Sequence, residues 1–276
     1  MSLLQPLARL ARSTCRPLTR RLFSSAPRTV PRSPYRTLLL GAVAGSVAYA
    51  AFAPTTIHLD TEAKTTQVQE DPDTVTDPAT SIAFPKTIQV QSKAKYPPLS
   101  LVGLGVRTVS FLGIKVYSVG FYADLSNPSL KIPKDMPPEE KVEYIVRNTA
   151  CVVRIVPTRS TSYTHLRDAF MRALQARQAL GVKSGTLTEE VAQEASSPMR
   201  KLKSLFPNSP LAKHTPLDIF LAPPIPGRSR ALVFRDLGAI ENDWVATEFV
   251  LHYFEGEGPS PPLKKSVLEH LESVSK

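Results

Sequence analysis

The chain has 276 residues, with 34 Lys and Arg against 24 Asp and Glu and a formal net charge of +10. Eight arginines and no acid precede Asp60, so the remainder carries only +2. No Lys/Arg stripe interleaved with aromatics follows, which argues against a nucleic-acid surface. The two cysteines, Cys15 and Cys151, cannot build a disulfide framework once a leader is removed, and no Cys/His cluster has zinc spacing.

Residues 1–36 read as a mitochondrial transit peptide. The segment is rich in Arg and Ser and free of acid, and Leu3, Leu7 and Leu10 share one helical face. Arg21-Leu22-Phe23-Ser24 resembles the cut site of the matrix processing peptidase. Residues 37–53 are uncharged and apolar without a polar face, which predicts a single membrane anchor rather than a buried soluble helix. Arginines before the span and acids after it would leave the body on the intermembrane-space side of the inner membrane. Residues 54–85, rich in Thr, Asp, Pro and Gln, read as a linker. Residues 86–276 then form one domain.

Within that domain Thr87–Ser92 reads as a strand. Residues 101–122 follow as a β-hairpin with its break near Leu112-Gly113. On its second strand Tyr117, Val119 and Phe121 share one face, and Ser118 and Gly120 the other. Arg107 lies among apolar neighbours, so its guanidinium needs either an internal carboxylate or an acidic ligand. A helix opens at Pro137 with acids in its first turn, and Ala150–Val156 is β-branched except at Arg154. Ser160 or Thr161 caps a long helix ending near Leu180, with Gly181 as its stop. A further helix starts at Thr188, is broken or kinked by Pro198, and ends at Leu205. Strands Leu217–Leu221 and Ala231–Phe234 precede helices around Trp244–Phe254 and from Pro262. Strands at both ends with helices between and after them predict an α+β domain.

Three blocks carry a resemblance. G-x-G-x-R followed by K-V-Y-S-V-G-F-Y, RIVPTRSTSYTHLRDAF, and FVLHYFEGEGPSPPLKK are similar, in this order, to the opening hairpin, the cleft-lining strand–helix unit and the C-terminal helices of the chalcone isomerase-like family. With the N-terminus described above, the chain most resembles the fungal mitochondrial members named for altered inheritance of mitochondria. The resemblance implies the chalcone isomerase fold, an open-faced antiparallel β-sheet packed against a layer of helices with a ligand cleft between the layers.

It also implies a site. Arg107 matches the family's hairpin arginine, and Arg154 with Tyr163 is similar to its basic residue and tyrosine. Tyr117 stands where the plant enzymes have a threonine, and Phe170 falls near their asparagine. Both changes replace small polar groups by aromatics, which argues against ring closure on a polyphenol. The expectation is a non-catalytic cleft that binds a hydrophobic acid, fatty-acid-like or haem, with Arg107 and Arg154 on the charged end and Tyr117 and Tyr163 nearby. His165 and His252 are the candidate haem ligands. The alternatives are an intramolecular lyase of the chalcone-flavanone isomerase type and a scaffold protein with an occluded cleft. Gly103-Leu104-Gly105 is no dinucleotide fingerprint, because Thr108 takes the third glycine's place and no helix follows.

Overall fold

The computed structural model describes residues 73–92 and 94–274. The transit peptide expected over 1–36 and the apolar span 37–53 lie outside them. Among the described residues, no helix is long and apolar enough to cross a membrane.

In chain order the elements are β1 (Thr74–Thr76), β2 (Ala83–Pro85), β3 (Thr87–Ile88), β4 (Leu99–Val109), β5 (Ile114–Ala123), α1 (Pro138–Asn148), β6 (Cys151–Pro157), β7 (Thr161–Ser162), α2 (Tyr163–Ser184), α3 (Glu189–Leu205), β8 (Pro210–Leu211), β9 (Leu217–Leu221), β10 (Ala231–Phe234), β11 (Gly238–Glu241), α4 (Asp243–Leu251) and α5 (Pro261–Val274). Seven strands form one sheet in the order β11-β10-β9-β6-β5-β4-β3, and every neighbouring pair is antiparallel. Alternation assigns the side chains to faces. Tyr117, Val119, Phe121, Cys151, Val153, Ile155, Ile219 and Phe234 point to one side and pack with the buried residues of the helices in the main core. Tyr122, Val152, Val156 and Phe220 point to the other, where Ile82, Phe84, Ile88 and Leu99 meet them.

That second side changes the expected linker. Residues 73–85 form the β1–β2 hairpin and belong to the domain. Its turn is fastened to β5: the Ser118 hydroxyl donates to Asp77 Oδ2 at 2.6 Å and lies 2.5 Å from the Thr80 hydroxyl. Phe84 is fully buried over Gly120, where a Cβ would come within 2.9 Å of its ring. The Tyr122 hydroxyl donates to the Pro85 carbonyl at 3.0 Å. The segment's polar composition hid two apolar residues at strand spacing, Ile82 and Phe84.

Two helix boundaries also differ from expectation. α2 runs past Gly181 to Ser184, because the left-handed residue that ends it is Gly185, φ 74°. α3 runs unbroken through Pro198. Buried Ala195, Met199 and Leu202 hold it against the core, which offsets the missing backbone donor. β11 and the short β7–β8 pair were not foreseen.

The G-x-G of β4 has a packing role. A Cβ on Gly103 would lie 2.6 Å from Val267 Cγ2, and one on Gly105 would lie 2.7 Å from the Pro262 carbonyl carbon. The two glycines let α5 rest directly on the strand. Ser260 secures the contact by donating its hydroxyl to the Val106 carbonyl at 2.8 Å.

Candidate functional site

Arg107 and Tyr117 are register partners across β4 and β5, so both side chains emerge on the helix-covered face. The ladder loses register immediately after this pair, between Arg107 and Thr108. Arg107 donates from Nη1 to the Tyr117 hydroxyl at 3.1 Å, and its guanidinium carbon lies 5.6 Å from the centre of that ring. Among the described residues Arg107 forms no ion pair. Tyr253, just past the end of α4, is fully buried beside Tyr117. Burial and the neighbouring phenol push its hydroxyl well above the usual tyrosine range, while Arg107 opposes them. The two hydroxyls are neighbours, but Tyr253 has no partner in hydrogen-bond geometry.

Arg107 opens onto a cavity of about 280 Å³ between sheet and helices. Ala169, Phe170, Ala173 and Arg177 of α2 line it, with His252, Glu255 and the Gly258-Pro259 turn. Arg177 is neutralised: its Nε donates to Glu248 Oε2 at 2.8 Å, and its two terminal nitrogens pair with Glu248 and Glu255. The His252 ring bonds to the Phe249 carbonyl through Nδ1. Burial first, and then the nearby Arg177 and Arg107, push its pKa down to about 4 against that hydrogen bond, so the ring is neutral at pH 7. The cavity therefore has one guanidinium without a carboxylate and an apolar stretch of wall from Ala169, Phe170 and Ala173, while Tyr117 and Tyr253 are buried beside Arg107 and do not line it.

The other expected site residues do not join this group. Arg154 pairs with Gly120 and Asp218 in the ladder, which puts it on the opposite face of the sheet from Tyr117. There its Nε donates to Asp218 Oδ1 at 2.6 Å and its Nη2 to Oδ2 at 2.9 Å. Arg235 Nη1 also reaches Oδ2, at 3.2 Å. This cluster borders a separate cavity of about 650 Å³ on the helix-free face, over Val152, Phe220 and Val233. The convergence of Arg107 with Arg154 is thus corrected by strand parity, and Arg154 is matched by the protein's own carboxylate.

Tyr163 sits at the first residue of α2, seven residues or about 10 Å of helix before Phe170. Its ring packs 6.5 Å from that of Phe206 and does not line the Arg107 cavity. His165 is exposed on the first turn of the same helix, so the two histidines do not converge. Sequence reasoning missed Tyr253 and Arg177. Arg177 lies seven residues after Phe170 on one helical face, a spacing that could have flagged it. It also missed Arg230, the most enclosed guanidinium of the described residues. Arg230 donates to the carbonyls of Ala222 at 2.6 Å and Thr149 at 2.5 Å, and its pKa is pushed down by burial to about 10. It ties α1, β9 and α4 together and faces no cavity with Arg107.

A family model described as chalcone isomerase-like matches residues 97–143 and 134–268. The chain belongs to the chalcone isomerase-like family. An uncharacterized protein of Schizosaccharomyces pombe is 30% identical over 181 residues, which span 57% of this chain and 64% of that protein. Altered inheritance of mitochondria protein 18, mitochondrial, of Debaryomyces hansenii is 24% identical over 286 aligned positions, covering 90% of this chain and 91% of the relative. The protein of the same name from Eremothecium gossypii is 26% identical over 139 residues, 40% of this chain and 44% of that one. In fold, the chain is similar to a fatty-acid binding protein of Arabidopsis thaliana, AtFAP1, with a TM-score of 0.51 and 17% identity. The likeness covers 73% of this chain and 98% of that structure. The family's open antiparallel sheet and helical layer are those described above.

Proposed function

We propose that this protein is a mitochondrial, non-catalytic binder of a small hydrophobic acid, with the carboxylate on Arg107 and the tail along Phe170, Ala169 and Ala173. One observation carries the reading: a largely enclosed guanidinium faces a cavity with only a neutral phenol for a partner. An ionised carboxylate would complete charge-assisted bonds to Arg107. The fatty-acid binding of the Arabidopsis neighbour and the mitochondrial names of the fungal relatives support the ligand class and the compartment. A cavity of about 280 Å³ suits a medium-chain acid better than a haem, since drug-sized ligands take roughly 300–1,000 Å³. The titratable groups of the cavity are poor general bases: burial holds His252 down at a pKa of about 4, and Glu255 is paired with Arg177.

Native mass spectrometry of the full chain, followed by titration with octanoate, dodecanoate and dodecylamine, tests the reading. Binding of the acids and not the amine is expected, with Arg107→Ala weakening the acids about ten- to hundredfold. Equal affinity of the Arg107→Ala protein, or no binding of either acid, overturns it.

A further inference from the structure

The β4–β5 hairpin ends in a tip that no part of the domain covers. Phe111 is 96% exposed and Leu112 70%, with Val109 and Ile114 exposed at its base. Single exposed apolar residues are ordinary, but four at one apex form a continuous patch. The backbone holds them out. Ser110 and Gly113 both adopt positive φ, 62° and 63°, and the Gly113 amide donates to the Ser110 carbonyl at 3.1 Å. A non-glycine residue in that region is strained, and Ser110 accepts the strain in a turn that presents Phe111 and Leu112 at its crown.

A collar of one charge sign surrounds the tip. Thr158 joins the β6–β7 loop to its base, through its amide to the Val116 carbonyl at 3.1 Å and its hydroxyl to the Lys115 carbonyl at 2.8 Å. The His214 amide donates to the Pro157 carbonyl at 2.9 Å and brings in the loop before β9. Lys115 at the start of β5 is exposed, as are Arg159 and Lys213 in the two loops, and none of the three is in an ion pair among the described residues. Lys115 Nζ donates to the Ala79 carbonyl. The hairpin turn and the two loops contain no Asp or Glu.

We infer that the Phe111-Leu112 hairpin tip is a wedge that enters an anionic lipid surface, with Lys115, Arg159 and Lys213 on the headgroups. The charge pattern selects this occupant. Apolar side chains at the crown need a hydrocarbon phase, and basic side chains a step behind them need negative charge at headgroup depth. The inference is independent of the ligand reading, because none of these residues lines the Arg107 cavity.

The test uses the full chain with Cys15→Ser and Leu112→Cys, labelled at position 112 with an environment-sensitive fluorophore. Cys151 is fully buried with its thiol pushed up to about 12 by burial, and stays unlabelled. With vesicles of phosphatidylcholine plus phosphatidylglycerol, blue-shifted emission quenched by a lipid-borne quencher is expected. Pure phosphatidylcholine should give far less. Neutralising Arg159 and Lys213 as Arg159→Gln and Lys213→Gln should weaken the response about fivefold per residue at an unchanged melting temperature. A water-exposed label with both vesicle types overturns the inference, as does an equal response to uncharged vesicles. A blue shift without lipid quenching also overturns it and assigns the tip to a protein partner.

Discussion

Arg154 and Asp218 stand directly opposite one another on β6 and β9 and close a two-armed ion pair on the helix-free side of the sheet. Asp218 also serves Arg235, so one carboxylate answers two guanidiniums. Asp218→Ala would leave both cations against an apolar floor and is expected to cost about 2–4 kcal/mol in urea unfolding. Arg154→Ala, which leaves Asp218 with Arg235, should cost clearly less. Neither change should move acid binding at Arg107, which a titration of the two folded variants checks.

The two phenols beside Arg107 should differ in what they contribute to stability. Tyr253→Phe removes a buried hydroxyl with no partner in hydrogen-bond geometry and should leave the protein equally stable, or up to about 1–3 kcal/mol more so. Tyr117→Phe takes the acceptor from Arg107 Nη1 and should destabilise by about 1 kcal/mol. Melting curves of the two variants distinguish them.

His252 predicts a pH dependence with a definite sign. Its folded pKa of about 4 lies below the ordinary value near 6.5, so the unfolded chain binds the proton more readily. Stability from this group is complete above about 6.5 and is lost as pH falls towards 4, by up to about 3 kcal/mol. Urea titrations across that window should show the slope, and His252→Asn should flatten it.

Helix α5 depends on the absence of side chains beneath it. Gly105→Ala would drive a methyl group into the backbone at Pro262 and Leu263, which cannot rotate away, and should cost about 1–3 kcal/mol or more. Gly113→Ala, at the open hairpin tip, meets nothing and should be limited to the cost of its positive φ. Thermal unfolding of the pair measures the difference.

The long hairpin, the β6–α2 unit and the two faces of β5 were legible because each rests on local periodicity. Arg107 and Tyr117 were readable as neighbours because one hairpin carries both. The relation of Arg154 to them was not. It depends on the register of β6, which pairs Arg154 with Gly120, three residues from Tyr117 and therefore on the other face. Residue type cannot reveal that parity. Tyr253 escaped notice because its role comes from meeting Tyr117 across the layers, not from any spacing along α4. The β1–β2 hairpin was hidden by its Thr/Asp/Pro composition, although the hydroxyl–carboxylate network of buried Asp77 and Ser118 with half-buried Thr80 shows why those polar residues are there.

That same fastening sets how far the chain could be trimmed without harm to the sheet. Phe84 fills the hollow above Gly120, and Asp77 meets the hydroxyl of Ser118. A protease that trimmed the chain as far as Lys86 would strip an apolar plug from the back of the sheet and strand a polar group in the gap. Any processing compatible with an intact domain must cut upstream of Asp73, so the segment just ahead of the family-matched region is part of the folding unit it precedes.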